Sequence, residues 1–263
     1  MGIRTNTNDI DLVVTKKCFE ILKQRFNINK KLVKRENGSY EITKEIECFI
    51  EEKESFKTEV IEDCQVQSLS SVLKLKKEMN REKDLKDIRL ISEYVKSNIK
   101  IRKAVKGDVK DLATLIDDCW KKTYKNIMPI ETLERKEKNK NEKIKKWENN
   151  INNRNGFVVE LNKKIVGYCE YILKSDLEAA DCEITILYID NNYQSLGIGK
   201  ELVEFVKSKL KQNNKNNMAI RCLEENINGR KFYKKIGGIE LEEIVYYEYD
   251  NKKYKQKTYI YEI

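Results

Sequence analysis

The spacing of apolar residues changes several times along the chain, and each change predicts an element. Ile10, Leu12 and Val14 alternate with Asp9 and Asp11, which predicts a strand within 4–14. A second strand is predicted at 45–50. Leu85, Ile88, Ile91 and Val95 recur at helical spacing and predict a helix over 85–95. A domain boundary is placed at Ser97-Asn98, giving units 1–98 and 99–263. Beyond it Ile99–Arg102 alternates like a first strand. Asp108 then stands as N-cap to a helix with Val109, Leu112, Leu115, Ile116 and Cys119 on one face. A Lys/Glu-rich helical stretch follows at 131–150. Residues 156–161 and 164–173 read as a hairpin turning at Asn162-Lys163. The remainder reads as strand 182–189, helix 197–210, strand 218–223, helix 227–236, and two strands around Asp250-Asn251. The fold class is α/β (α+β), with a mixed central sheet flanked by helices.

Composition narrows the chemistry. The chain has no histidine, which excludes Ser-His-Asp and Cys-His catalysis and any histidine-ligated metal. Its seven cysteines are scattered and never in C-x-x-C spacing, so reduced thiols and a cytoplasmic location are expected. No apolar run reaches the roughly 18 residues of a membrane span, and no signal peptide opens the sequence. The formal charge of +9 lies mostly after Asn98 and favours an anionic ligand. Lys-rich runs at 134–146 and 207–215 read as solvated helix faces, so nucleic acid is not the expected partner.

The most informative segment is Leu187 to Lys200, in which an apolar strand ends, a polar turn follows, and Gly197 and Gly199 open a helix. Helix N-termini carry unpaired N–H groups and partial positive charge, and two glycines leave those groups approachable by phosphate. Tyr193-Gln194, Gly197 and Gly199 resemble the Gln/Arg-x-x-Gly-x-Gly/Ala motif of the GNAT acetyltransferases. Asn226 followed by Phe232-Tyr233 and Gly237 resembles the family's next motif, with Gly238 in place of its usual Phe. Ile101–Ala104 and Trp120–Tyr124 resemble its first strand and helix. The resemblance spans roughly 160 residues in the family's order. It implies a GNAT fold, splayed at its fourth strand, that binds acetyl-CoA and acetylates an amine.

Further implications follow from that resemblance. The N–H groups of Gln194, Ser195, Leu196, Gly197, Ile198, Gly199 and Lys200 would cradle the pyrophosphate. Leu187, Tyr188 and Ile189 would offer backbone groups to the pantetheine arm, with the N–H of Tyr188 or Ile189 polarising the carbonyl. Tyr233 would protonate the leaving thiolate, and Asn226 would contact the coenzyme, cap its own helix, or both. Glu183 is the candidate base; on a two-residue period it shares a face with Thr185 and Leu187. Glu170 and Glu160 are further candidates. Trp120, Tyr124 and Trp147 are candidates for an acceptor pocket, and the acceptor, a small-molecule or protein amine, is written in no motif. A homodimer is compatible with the sequence.

The first hundred residues carry a different signature. Asp9 and Asp11 could share a magnesium ion with a nucleotide, with Glu47 as a third carboxylate. Thr7-x-Asp9-Ile10-Asp11-Leu12, with Lys83, Asp84 and Asp87, resembles nucleotidyltransferase-like proteins. That family places a Gly-Gly or Gly-Ser turn ahead of the Asp-x-Asp strand, and a chain opening at Met1-Gly2 leaves no room for it. An incomplete nucleotidyltransferase-like domain, inactive in itself, is therefore expected ahead of the acetyltransferase. Two other readings stay open: a magnesium-dependent nucleotidyltransferase in the N-terminal half, and an acyl-CoA-binding regulator without turnover.

Overall fold

A computed structural model describes residues 10–25, 28, 34–36, 38–51, 57–61, 64–138 and 140–263. The chain divides into two units, Met1–Leu90 and Ile91–Ile263.

In the first unit, β1 (Ile10–Val14) is followed by α1 (Lys16–Arg25), β2 (Tyr40–Glu41) and β3 (Ile46–Ile50). β3 lies between β1, which it pairs in parallel, and β2, which it pairs antiparallel. Phe19, Ile42 and Cys48 form its small core. A separate hairpin, β4 (Thr58–Ile61) with β5 (Cys64–Gln67), precedes α2 (Leu69–Met79), and α3 (Glu82–Asn98) begins in this unit and ends in the second. Helical spacing alone misjudges the start of α3. Leu85 is 44% exposed, whereas Asp84 and Asp87 are buried. Lys76 reaches both carboxylates at 3.2 and 2.8 Å, and Arg81 meets Asp84 at 2.6 Å, so cations from the preceding segment draw the acidic edge inward.

The second unit is built on an eight-stranded sheet. Its elements are β6 (Ile99–Lys103), α4 (Val109–Tyr124), α5 (Ile130–Lys138), α6 (Lys140–Asn150), β7 (Asn155–Leu161), β8 (Lys164–Ile172), β9 (Cys182–Ile189), α7 (Ile198–Gln212), β10 (Asn217–Leu223), α8 (Ile227–Lys235), β11 (Ile239–Glu240), β12 (Val245–Tyr249) and β13 (Lys252–Glu262). The strand order is β11-β13-β10-β9-β8-β7-β6, and β12 pairs with β13. β9 and β10 pair in parallel, while the other neighbouring pairs are antiparallel. Both expected hairpin turns form, with positive φ at Asn162-Lys163 and at Asp250-Asn251. Asp108 does not cap α4 directly. Its carboxylate accepts from the Val105 N–H at 2.8 Å in a short 3₁₀ turn and pairs with Arg102 at 2.7 Å.

Helices cover both faces. Val109, Leu112, Leu115, Ile116 and Cys119 of α4 form one core with Trp147, Val158 and Tyr168. On α7, Leu202, Val203, Val206 and Leu210 are buried at 1% exposure or less. Each such side chain contributes roughly 1.5–3 kcal/mol through removal from water. Within the first face, Glu170 is buried and accepts from Tyr168 Oη at 2.7 Å and from Arg154 Nε and Nη2 at 2.8 and 2.6 Å. The Arg154 guanidinium also lies 5.0 Å from the centre of the Trp147 ring. Replacing Arg154 by Met would leave a buried carboxylate without its cation. We expect Arg154→Met to destabilise the domain by about 3–5 kcal/mol in urea unfolding, and Glu170→Gln in the same chain to recover much of that loss.

Candidate active site

The site begins where two strands part. β10 pairs with β9 only at Met218↔Cys182, Ala219↔Glu183 and Ile220↔Ile184. Beyond those pairs the sheet forks, so residues 185–189 and 221–223 no longer face each other in register. On its other edge β9 continues along β8 to Ile189, and the Asp190 N–H donates to Val166 O at 2.9 Å. Backbone groups alternate along a strand, so Tyr188 also turns its N–H toward β8. Leu187 and Ile189 therefore point theirs into the fork. That geometry selects Ile189 over Tyr188 as a donor toward the opening and adds Leu187. The Ile189 carbonyl accepts from Gln194 Nε2 at 3.1 Å and from Cys119 Sγ at 3.4 Å, which ties the strand end to the turn and to α4.

A bulge corrects the expected facing of Glu183. The β8–β9 register runs Tyr168↔Tyr188 and Glu170↔Ile186, then shifts to Tyr171↔Ile184 and Ile172↔Glu183. Thr185 is the extra residue, and its hydroxyl donates to Glu170 O at 3.3 Å. An inserted residue reverses the alternation. Glu183 thus shares its face with Ile186 and Tyr188, and Leu187 lies on the other.

At the mouth of the fork the chain enters α7. Leu196 and Ile198 are buried, while Gln194, Ser195, Gly197 and Lys200 are exposed, so the turn is anchored by alternate side chains and shows its backbone outward. Ser195 and Gly197 adopt positive φ, +65° and +88°. Gly197 is the N-cap and provides no side-chain cap. The first hydrogen bonds of the helix come from Lys200 and Glu201 to Gly197 O, so the N–H groups of Ile198 and Gly199 keep no acceptor among the described residues. A Cβ on Gly197 would meet nothing within 4 Å, so the turn is open beside that residue. Gly199 is needed for a different reason: a Cβ there would lie 3.0 Å from the Phe232 ring of α8.

Across the fork, Asn226 caps α8 by accepting from the Gly229 N–H at 3.0 Å. Tyr233 packs between Phe232 and Tyr259, with ring centres 5.4 and 5.5 Å away. Burial, with Cys222, Tyr124 and Tyr261 nearby, raises its phenol well above 10. Burial acts on Tyr188 in the same direction, with Tyr124 and Tyr233 adding to it, and Tyr124 is pushed up to about 12. These phenols keep their protons at neutral pH.

Trp120 lies 4.8 Å from Tyr124 and 5.5 Å from Tyr249, in a cluster that includes Leu223, Tyr188, Tyr247 and Tyr254. α5 is tied to the β12–β13 turn above this cluster, with Thr132 Oγ1 donating to Asp250 at 2.7 Å and Arg135 pairing with the same carboxylate. Trp147 is not part of it; it belongs to the core against Tyr168, 5.7 Å away. Of the candidate bases, Glu160 is held by Arg102 and Glu170 by Arg154. Glu183, 7% exposed, lies at an open surface depression that Ile172, Lys174, Ser175, Asp176 and Arg221 also line. Arg221 Nη2 donates to Glu183 Oε2 at 2.9 Å. Sequence reasoning passed over Arg221, although one arginine inside the apolar run Met218–Leu223 signals a buried ion pair.

In the first unit Asp11 and Glu47 are register partners on β1 and β3, while Asp9 lies outside the described residues. Glu47 accepts from Ser39 Oγ at 2.9 Å and pairs with Arg35. No group of three or more acidic or cysteine side chains able to hold a metal occurs among the described residues. Nor is any described helix long and apolar enough to cross a membrane.

Residues 112–238 match the model of the Acetyltransferase (GNAT) family. The C-terminal region, over 112–238, carries a GNAT acetyltransferase domain. It is 28% identical over 131 residues to the N-acetyltransferase YuaI of Bacillus subtilis (strain 168), covering 49% of this chain and 73% of that protein. The fold is similar to a GCN5-related N-acetyltransferase from Rhodopseudomonas palustris, with a TM-score of 0.52 and 13% identity over 62% of this chain and 95% of the other. It is also similar to the PaiA N-acetyltransferase of Thermoplasma acidophilum, solved with coenzyme A, with a TM-score of 0.47 and 20% identity over 60% and 97% of the two chains.

The left-handed backbone at the α7 start makes a direct prediction. Gly197→Ala should lose about 1–2 kcal/mol in denaturant unfolding, because a Cβ is disfavoured at its φ of +88°. Gly107→Ala, where φ is not positive and space is open, should be neutral within about 0.5 kcal/mol.

Proposed function

We propose that the GNAT domain transfers the acetyl group of acetyl-CoA to a primary amine by direct attack in a ternary complex. The observation that carries this reading is the open fork of β9 and β10 leading to a helix start with bare amides. A long anionic thioester needs both: a slot with free backbone groups for its arm and a positive helix end for its phosphates. Open space beside Gly197 and the unpartnered amides of Ile198 and Gly199 fit a diphosphate. When bound, acetyl-CoA supplies the acyl carbon.

The chain's own residues account for the remaining requirements. The inward N–H groups of Leu187 and Ile189 are fixed by the β8–β9 ladder and can donate to an oxygen as it gains negative charge, with no reorganisation needed. Tyr233 holds its proton at neutral pH and can give it to a departing thiolate. The acceptor amine must be neutral to attack, so a proton has to leave it. Glu183 is the carboxylate on the acceptor side of the fork, beside a depression open to solvent from which a water can relay the proton. Asn226 serves first as the cap that orients α8 and hence Tyr233.

Acetyl-CoA at a hundredfold excess over its Kd should stabilise the chain by about 2.7 kcal/mol, and ATP with magnesium should not. No stabilisation by acetyl-CoA would end the assignment. With an amine that releases free thiol from acetyl-CoA, Tyr233→Phe should lower kcat by about 10²-fold and leave acetyl-CoA affinity within twofold. Unchanged turnover would remove Tyr233 from the chemistry. Glu183→Gln should lower kcat/KM comparably, and less so as pH rises and the amine loses its own proton.

A further inference from the structure

The cluster at the apex of the fork contains a residue that the proposed chemistry has not used. Ile184↔Ile220 is the last pair before β9 and β10 part. Glu183 stands one residue before that pair on β9, and Arg221 one residue after it on β10. Pairing in parallel places Ala219 beside Glu183, so Arg221, two residues on, projects from the same face of the sheet. Its guanidinium spans the vertex, donating to Glu183 Oε2 at 2.9 Å and pairing with Asp176 in the loop between β8 and β9. Arg221 Nε is buried and finds no partner among the described residues, so the guanidinium is partly withdrawn from water.

A carboxylate with 7% exposure has lost most of its hydration, and such a group takes up a proton unless a cation faces it. Burial pushes the Glu183 carboxyl up to about 7. The guanidinium at 2.9 Å pulls the other way, toward the ionised form, and arginine stays charged at any accessible pH. The other charged groups around the depression do not replace it. Lys174 is exposed, Asp176 is a second anion, and Glu170, further along the same face, is matched by Arg154.

Taking Glu183 as the proton acceptor of the reading above, we propose that Arg221 is a positioning residue of the acetyl-transfer site, fixing the Glu183 carboxylate at the apex of the fork and keeping it ionised toward the acceptor side. The residue touches neither donor nor acceptor in this role; it acts through Glu183. Arg221→Lys keeps the charge and loses the two-pronged geometry, whereas Arg221→Gln loses both.

The test follows the Glu183 carboxyl resonance through pH in the full chain carrying ¹³C-labelled glutamate, the resonance being assigned by its loss in Glu183→Gln. Arg221→Gln should raise its midpoint by about one pH unit or more relative to wild type, and Arg221→Lys should recover at least half of the shift. Acetyl-CoA affinity should stay within about twofold in both, since the α7 start is untouched. An unmoved midpoint in Arg221→Gln overturns the proposal; should that variant fail to fold, an unmoved midpoint in Arg221→Lys does so. The outcome is separable from the donor assignment. Failure of wild type to bind acetyl-CoA rejects the proposed function, whereas binding with an unmoved midpoint rejects the role of Arg221 alone.

Discussion

The rest of the second unit depends on the parting of β9 from β10 after three residue pairs. In an uninterrupted sheet the N–H groups of Leu187 and Ile189 would be consumed by the neighbouring strand. Unpaired backbone groups are costly when buried, so a fork persists only if the flanking structure holds both branches apart and the gap stays open to solvent or ligand. Here β9 is held on one edge by β8 and at its end by Gln194 and Cys119, which both donate to Ile189 O. β10 is held by β13 along its whole length. The branches are each secured from outside, and the gap between them is the residue of that arrangement.

The two sides of the fork are chemically different, and the difference follows from strand parity. The bulge at Thr185 gathers Glu183, Ile186 and Tyr188 on the face covered by α4, with Ala219, Arg221 and Leu223 beside them. The opposite face carries Leu187 and Ile189 toward α7 and α8, where the Gly197 turn, Asn226 and Tyr233 stand. One inserted residue therefore puts the Glu183 carboxylate on one face of the fork and the Leu187 and Ile189 side chains on the other. The tie of α5 to Asp250 and the ring contacts of Trp120, Tyr247 and Tyr249 flank the Tyr188 side of the fork.

What was legible in the sequence was local. The strand at 182–189, the Gly-containing start of α7 and the turns at Asn162-Lys163 and Asp250-Asn251 are each specified within a few residues, and each forms as read. The errors lie where distant partners decide. Alternation cannot reveal a bulge, so strict two-residue periodicity puts Glu183 on the wrong face. Leu85 fits a helical stripe, yet Lys76 and Arg81 draw Asp84 and Asp87 into the buried side instead. Trp147 and Trp120 look alike in sequence, and only the fold sends one to the core and the other to the fork. Arg221 stood in plain view in an apolar strand, but its partner Glu183 is 38 residues away.

The most direct test of the fork is residue-resolved. In an amide NMR titration with coenzyme A, the account predicts that the largest shift changes fall on Leu187, Ile189, Ile198 and Gly199, with Val158 and Leu112 scarcely moved. Saturable binding that perturbs other surfaces and leaves those four amides unchanged would contradict it.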